Sequence, residues 1–119
     1  MAQHPGDAPM TDPLLERDPN LKAIVERLIA AFQPERIYLF GSKARGDEGP
    51  DSDYDLMVIV SSSSEPPYKR SQRACLALHG IATAADVLVW TREAFDSRLH
   101  LRASFPSAIV REGRVLYAA

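Results

Sequence analysis

Three aspartates and one Gly-Ser pair carry the chemistry that this sequence can do. In FGSKARGDEGPDSDYDLMVIV, Phe40 to Val60, an apolar run breaks at Gly41-Ser42 into a charged loop and resumes behind Asp53 and Asp55. Residues two apart on an extended chain project to the same side, so this entry presents two carboxylates together. Paired carboxylates repel unless a cation lies between them. Such hard oxygen donors suit Mg²⁺, which usually reaches a protein through one or two carboxylates plus substrate phosphates. Asp86, opening the apolar stretch ADVLVW, is the third candidate. Beside Asp55 on a neighbouring strand, it would allow two ions roughly 4 Å apart, the arrangement that serves phosphoryl and nucleotidyl transfer.

Gly41-Ser42 supplies the other half of such a site. A glycine directly after a strand lets backbone approach a ligand, and Ser42 offers an amide, a hydroxyl and a cap for a short helix starting at Lys43. Lys43 or Arg45 could then meet a phosphate oxygen. The segment from Gly41 to Asp55 holds two basic and five acidic residues, so without a divalent metal it should repel a triphosphate. A blander account exists for each residue: Gly-Pro-Asp-Ser-Asp is good turn chemistry by itself, Asp86 can cap a turn, and Arg45 can stay solvated or pair with Asp47. The turn account alone leaves the Gly-Ser spacing and Asp86 unexplained.

The elements that must position these residues follow from pattern. Residues 1 to 13, with three prolines, predict a flexible tail, and residues 14–119 a single domain. Asp18-Pro19 predicts a capped helix whose apolar face is Leu21, Ile24, Val25, Leu28, Ile29 and Phe32, ended by Pro34. Strands are predicted from Arg36 to Phe40, from Asp55 to Val60 and from Ala85 to Trp90, with a last one from Arg114 to Tyr117. Helices are predicted from Tyr68 to His79 with Gly80 as the C-cap, after a Thr91 cap, and from Pro106 to Gly113. The fold class is α/β (α+β), one small mixed sheet with helices packed on it, and strand order is not legible.

Composition bounds the function. The 119 residues suffice for one domain with a core; 45% are apolar and 25% charged. The net charge of −2 speaks against direct nucleic-acid binding. No apolar run approaches a membrane span, and no secretion signal opens the chain, so a cytoplasmic location is expected. The single Cys75, among Ala74, Leu76 and Ala77, is expected to pack buried or half-buried. The histidines lack ligand spacing, and the arginines of the last third are expected to be mainly solvated.

Gly-Ser, ten residues, then Asp-x-Asp resembles the signature of the DNA polymerase β-like nucleotidyltransferase superfamily. The GSKARG loop, the SDYDL strand and the later ADVLVWT are similar to its minimal nucleotidyltransferases (MNT), the antitoxins of HEPN/MNT toxin–antitoxin pairs. The resemblance covers about residues 20 to 117. It implies that Asp53, Asp55 and Asp86 are catalytic and hold two Mg²⁺ ions, with Asp86 activating an acceptor hydroxyl. Gly41 and Ser42, with Lys43 and Arg45 near them, would bind the triphosphate. The implied reaction moves a nucleoside monophosphate, AMP from ATP, to a hydroxyl of a HEPN-type toxin. Two alternatives stay open: a non-catalytic antitoxin that silences its partner by contact, and nucleotidylation of a small molecule such as an aminoglycoside. The exposed helices could also serve a homodimer.

Overall fold

The apolar stripe predicted after Asp18-Pro19 forms one helix and buries. The computed structural model describes residues 12–46, 53–81 and 83–119. Helix α1 spans Leu14–Arg17 and α2 spans Pro19–Phe32. Asp18 caps α2 by accepting from the Leu21 N–H at 3.1 Å, and Leu21, Ile24, Val25 and Leu28 are fully buried. The helix ends with Gln33 in the left-handed region at φ 48°, just before Pro34.

The chain continues through β1 (Arg36–Phe40), α3 (Ser42–Arg45), β2 (Tyr54–Val60), α4 (Pro67–Ala77), β3 (Ala85–Thr91), α5 (Arg92–Asp96), α6 (Phe105–Glu112) and β4 (Arg114–Ala118). The four strands form a mixed sheet in the order β3-β2-β1-β4. β1 is antiparallel to β2 and β4, while β2 and β3 are parallel, joined across the sheet by α4. The expected class, a small mixed sheet with helices packed on it, is what the chain adopts.

Strand alternation divides the core into two layers. On the first face, Leu56, Val58 and Val60 of β2 and Ile37 and Leu39 of β1 pack with α1, α2 and Ala74 of α4. On the second, Met57, Ile59 and Tyr38 pack with Phe95 of α5 and Ile109 of α6. β2 is buried on both faces, which explains its continuous apolar run. α5 is capped by Thr91, whose hydroxyl accepts from the Ala94 N–H at 3.2 Å. Arg36 ties α5 to β1; partial burial opposes its charge, but hydrogen bonds to Asp96 and Tyr38 outweigh this and raise its pKa.

Several expectations change. Helix α1 precedes the expected first helix: Leu15 is buried, and the Asp12 carboxylate takes two hydrogen bonds from Arg114 at 2.8 and 3.0 Å. A two-residue Leu14-Leu15 signal is too short to register as a periodicity. α4 stops at Ala77, short of His79, and Arg27 donates to the Ala77 and His79 carbonyls. Cys75 is exposed, contrary to its apolar neighbourhood in sequence. The face of α4 that meets the sheet is set by Arg70 and Ala74, four apart, which turns Cys75 and Leu76 outward. The basic residues of the last third are partly structural, Arg92 pairing with Glu35 and Arg114 with Asp12.

Gly113 joins α6 to β4 where no side chain fits. A Cβ there would stand 2.6 Å from the Ile109 carbonyl oxygen and 2.7 Å from that of Leu39. Gly113→Ala should therefore cost about 1–3 kcal/mol, as overpacking does, and lower the urea midpoint without changing the slope of the transition.

Candidate active site

The aspartates lie at one end of the sheet, where β1 ends and the parallel pair β2 and β3 begins. Asp55 is the register partner of Asp86 across the parallel ladder, and of Phe40 across the antiparallel one. Asp55 alternates with Met57 and Ile59, and Asp86 with Leu88 and Trp90, so both lie on the second face. Adjacent strands lie about 4.8 Å apart, which sets the two aspartates side by side. Asp53 precedes the first residue of β2 and is exposed; alternation carried back from Asp55 assigns it to the same face. Asp86 is exposed too, although it opens an apolar stretch. β3 is an edge strand whose residues alternate in exposure, so a solvated aspartate there costs little.

Gly41 abuts this row. It has φ +77°, and a Cβ added to it would overlap the Asp55 carboxylate, 3.2 Å from its Cγ. Two constraints thus require glycine: a left-handed backbone and a carboxylate lying against the Cα. Ser42 starts α3 one residue earlier than expected, and Arg45 ends it; their side chains lie outside what is described. Lys43 places its ammonium 4.5 Å from the centroid of the Tyr54 ring, a cation–π contact beside the ring that packs on the first face.

One positioning contact was not read from the sequence. The Tyr54 hydroxyl donates to Asp18 Oδ2 at 2.5 Å, while Oδ1 of the same carboxylate caps α2. Tyr54 stands between Asp53 and Asp55, so the start of α2 holds the residue that separates the two acids. An Asp-Pro cap announces a helix but not a second partner from 36 residues away.

Oxygen donors alone populate the row, the set that a hard divalent cation takes and a soft one does not. Among the described residues no three His, Cys, Asp or Glu side chains close on a common point. The arrangement is thus an open row of acids beside a close backbone approach, facing solvent. Gly41→Ala should displace Asp55 as well as strain the backbone. We expect a stability loss of about 1–3 kcal/mol in urea denaturation, and weaker Mn²⁺ binding followed by paramagnetic relaxation.

Comparison with known proteins bears on the family and the fold. The sequence pattern of the nucleotidyltransferase domain matches residues 21–113. No curated protein matches the chain by sequence. Among solved structures, a supposed nucleotidyltransferase from Sulfolobus solfataricus is 22% identical, with a TM-score of 0.60 over 84% of this chain and 78% of that one. A toxin–antitoxin structure with AMP-PNP is 22% identical, with a TM-score of 0.51 over 82% of this chain and 73% of that one. The toxin–antitoxin MntA–HpeT, in a mutant with two aspartates two positions apart changed to glutamate, is 20% identical, with a TM-score of 0.52 over 84% and 73%. At these identities the structures share the fold. With most of its length matched, from α2 to the end of α6, the chain belongs to the nucleotidyltransferase domain family.

Proposed function

We propose that this protein is a Mg²⁺-dependent nucleotidyltransferase that moves AMP from ATP to a hydroxyl of a protein partner, and that the partner is a HEPN-type toxin. The observation that carries the reading is the register of Asp55 against Asp86 with Gly41 packed on Asp55. It gives a short acidic row next to a backbone turn that nothing but glycine fits, which is what a metal-bound triphosphate requires. The toxin–antitoxin neighbours, one solved with an ATP analogue and one altered at a pair of aspartates spaced like Asp53 and Asp55, support the context.

In this reading Asp53, Asp55 and Asp86 are the catalytic acids and the ligands of two Mg²⁺ ions, the number that the family resemblance implies. Bound Mg²⁺ would neutralise the negative charge that builds on the phosphates during transfer. The chain's own groups do the rest. Gly41 brings its backbone close to the triphosphate, and Ser42 adds an amide and a hydroxyl, with Lys43 and Arg45 nearby. Asp86, an exposed member of the row on the edge strand, accepts the proton of the acceptor hydroxyl on a carboxylate oxygen. Oxygen of the acceptor then bonds to the α-phosphorus and pyrophosphate departs. Within the described residues no helix is long and apolar enough to cross a membrane.

Asp53→Asn and Asp55→Asn should each abolish transfer of ³²P from [α-³²P]ATP to the acceptor, by a factor of at least 10². Both should keep the fold, as read from an unchanged circular dichroism spectrum. Full activity in either variant overturns the assignment of the acids. A partner that is bound and silenced without label would instead mean that this chain works by contact.

A further inference from the structure

The hydrogen-bond parity of β3 leaves a short piece of free strand edge beside the acids. The Tyr54 N–H donates to the Ala84 carbonyl at 3.2 Å, so that carbonyl faces β2. Alternation turns the main-chain groups of Asp86, Leu88 and Trp90 toward β2 as well, and those of Ala85, Val87 and Val89 outward. One outward group is already taken. The Val89 carbonyl accepts from Nε of Arg70 at 3.0 Å, and the same guanidinium donates to the Glu65 carbonyl at 2.8 Å. An unpaired edge is a template for another strand, and natural proteins close such edges with charged side chains. Arg70, a buried arginine, closes only the far end of this one.

Among the described residues nothing pairs with the outward groups of Ala85 and Val87, which flank Asp86. Beside them a cavity of about 350 Å³ opens between β3 and α4, reaching from Asp86 to the small side chains of Ser71, Ala74 and Cys75.

We propose that this free edge docks the acceptor: an extended segment of a protein pairs antiparallel with Ala85 and Val87 and presents a Ser, Thr or Tyr hydroxyl on the residue opposite Asp86. The inference rests on the nucleotidyltransferase reading above. Parity is what joins docking to chemistry. In a paired strand, the residue opposite Asp86 carries its side chain on Asp86's face, extending the Asp55–Asp86 row by one strand spacing. Its two neighbours project to the other side, into the cavity, where α4 offers small residues. Main-chain donors and acceptors at alternate positions fit a polypeptide and not a small hydroxylated molecule. A second copy of this chain pairing by the same edge would bring its own Asp86 against this one, like charge on like.

In the transfer itself, the hydroxyl oxygen bonds to the α-phosphorus. The bond from that phosphorus to the α,β-bridging oxygen breaks, its electron pair leaving on pyrophosphate, and the hydroxyl proton passes to Asp86.

The test uses the whole protein, Mg²⁺, [α-³²P]ATP and a heptapeptide of valine and alanine with one central tyrosine. Its twin is N-methylated at the two residues flanking the tyrosine, the ones that would donate to β3. Labelling of the first peptide, reduced at least tenfold in the twin, is expected. Val87→Pro removes an outward N–H, at a kind of position where edge strands tolerate proline, and replaces a half-buried valine with another apolar side chain; it should lose labelling while binding ATP as before. If that variant misfolds, the twin peptides still decide with the unaltered enzyme. Equal labelling of the twins overturns the proposal, as does a protein that binds ATP yet labels neither. So does a dimer that Val87→Pro dissolves, since the edge would then hold a second copy. A protein that binds no ATP in Mg²⁺ overturns the nucleotidyltransferase reading first and this one with it.

Discussion

The parallel register of β2 against β3 is the constraint on which the site depends. It alone places Asp55 beside Asp86, residues 31 positions apart in the chain. Two carboxylates at that spacing repel by on the order of 1 kcal/mol in water, more where solvent is partly excluded. Against this stand Leu56, Met57, Val58, Ile59 and Val60, five consecutive buried residues on the same strand as Asp55. Burying each contributes about 1.5–3 kcal/mol. The apolar half of β2 therefore fixes the register, and its acidic head is carried along with it to the side of Asp86.

Two further contacts make that head rigid. Gly41 abuts the Asp55 carboxylate from the end of β1, and the Tyr54 hydroxyl is held by Asp18 from the start of α2. The contacts come from opposite faces of the sheet, since Tyr54 packs in the first layer and Asp55 alternates to the second. The acids thus sit on a strand pinned from both sides rather than on a free loop, which is how a site keeps its geometry without closing over it.

Much of this was legible in the sequence, and the limits are physical. The helix from Pro19, the strand from Arg36 to Phe40 and the Thr91 cap follow from periodicity and capping, which act within a few residues. Asp53, Asp55 and Asp86 stood out because charge at the head of an apolar strand is locally unfavourable. The sheet order, the Tyr54–Asp18 bond and the closing of the β3 edge by Arg70 were not legible, because each joins residues far apart in the chain. Cys75 was misjudged for a related reason: its sequence neighbours are apolar, yet exposure on a helix is set by which side meets the sheet.

The openness of the acidic row also fits the chemistry proposed for it. Mg²⁺ dehydrates reluctantly, keeps several waters, and takes its remaining ligands from substrate phosphates. A row that faces solvent, backed by a glycine turn on one side and an open strand edge on the other, leaves room for a triphosphate and an acceptor at once.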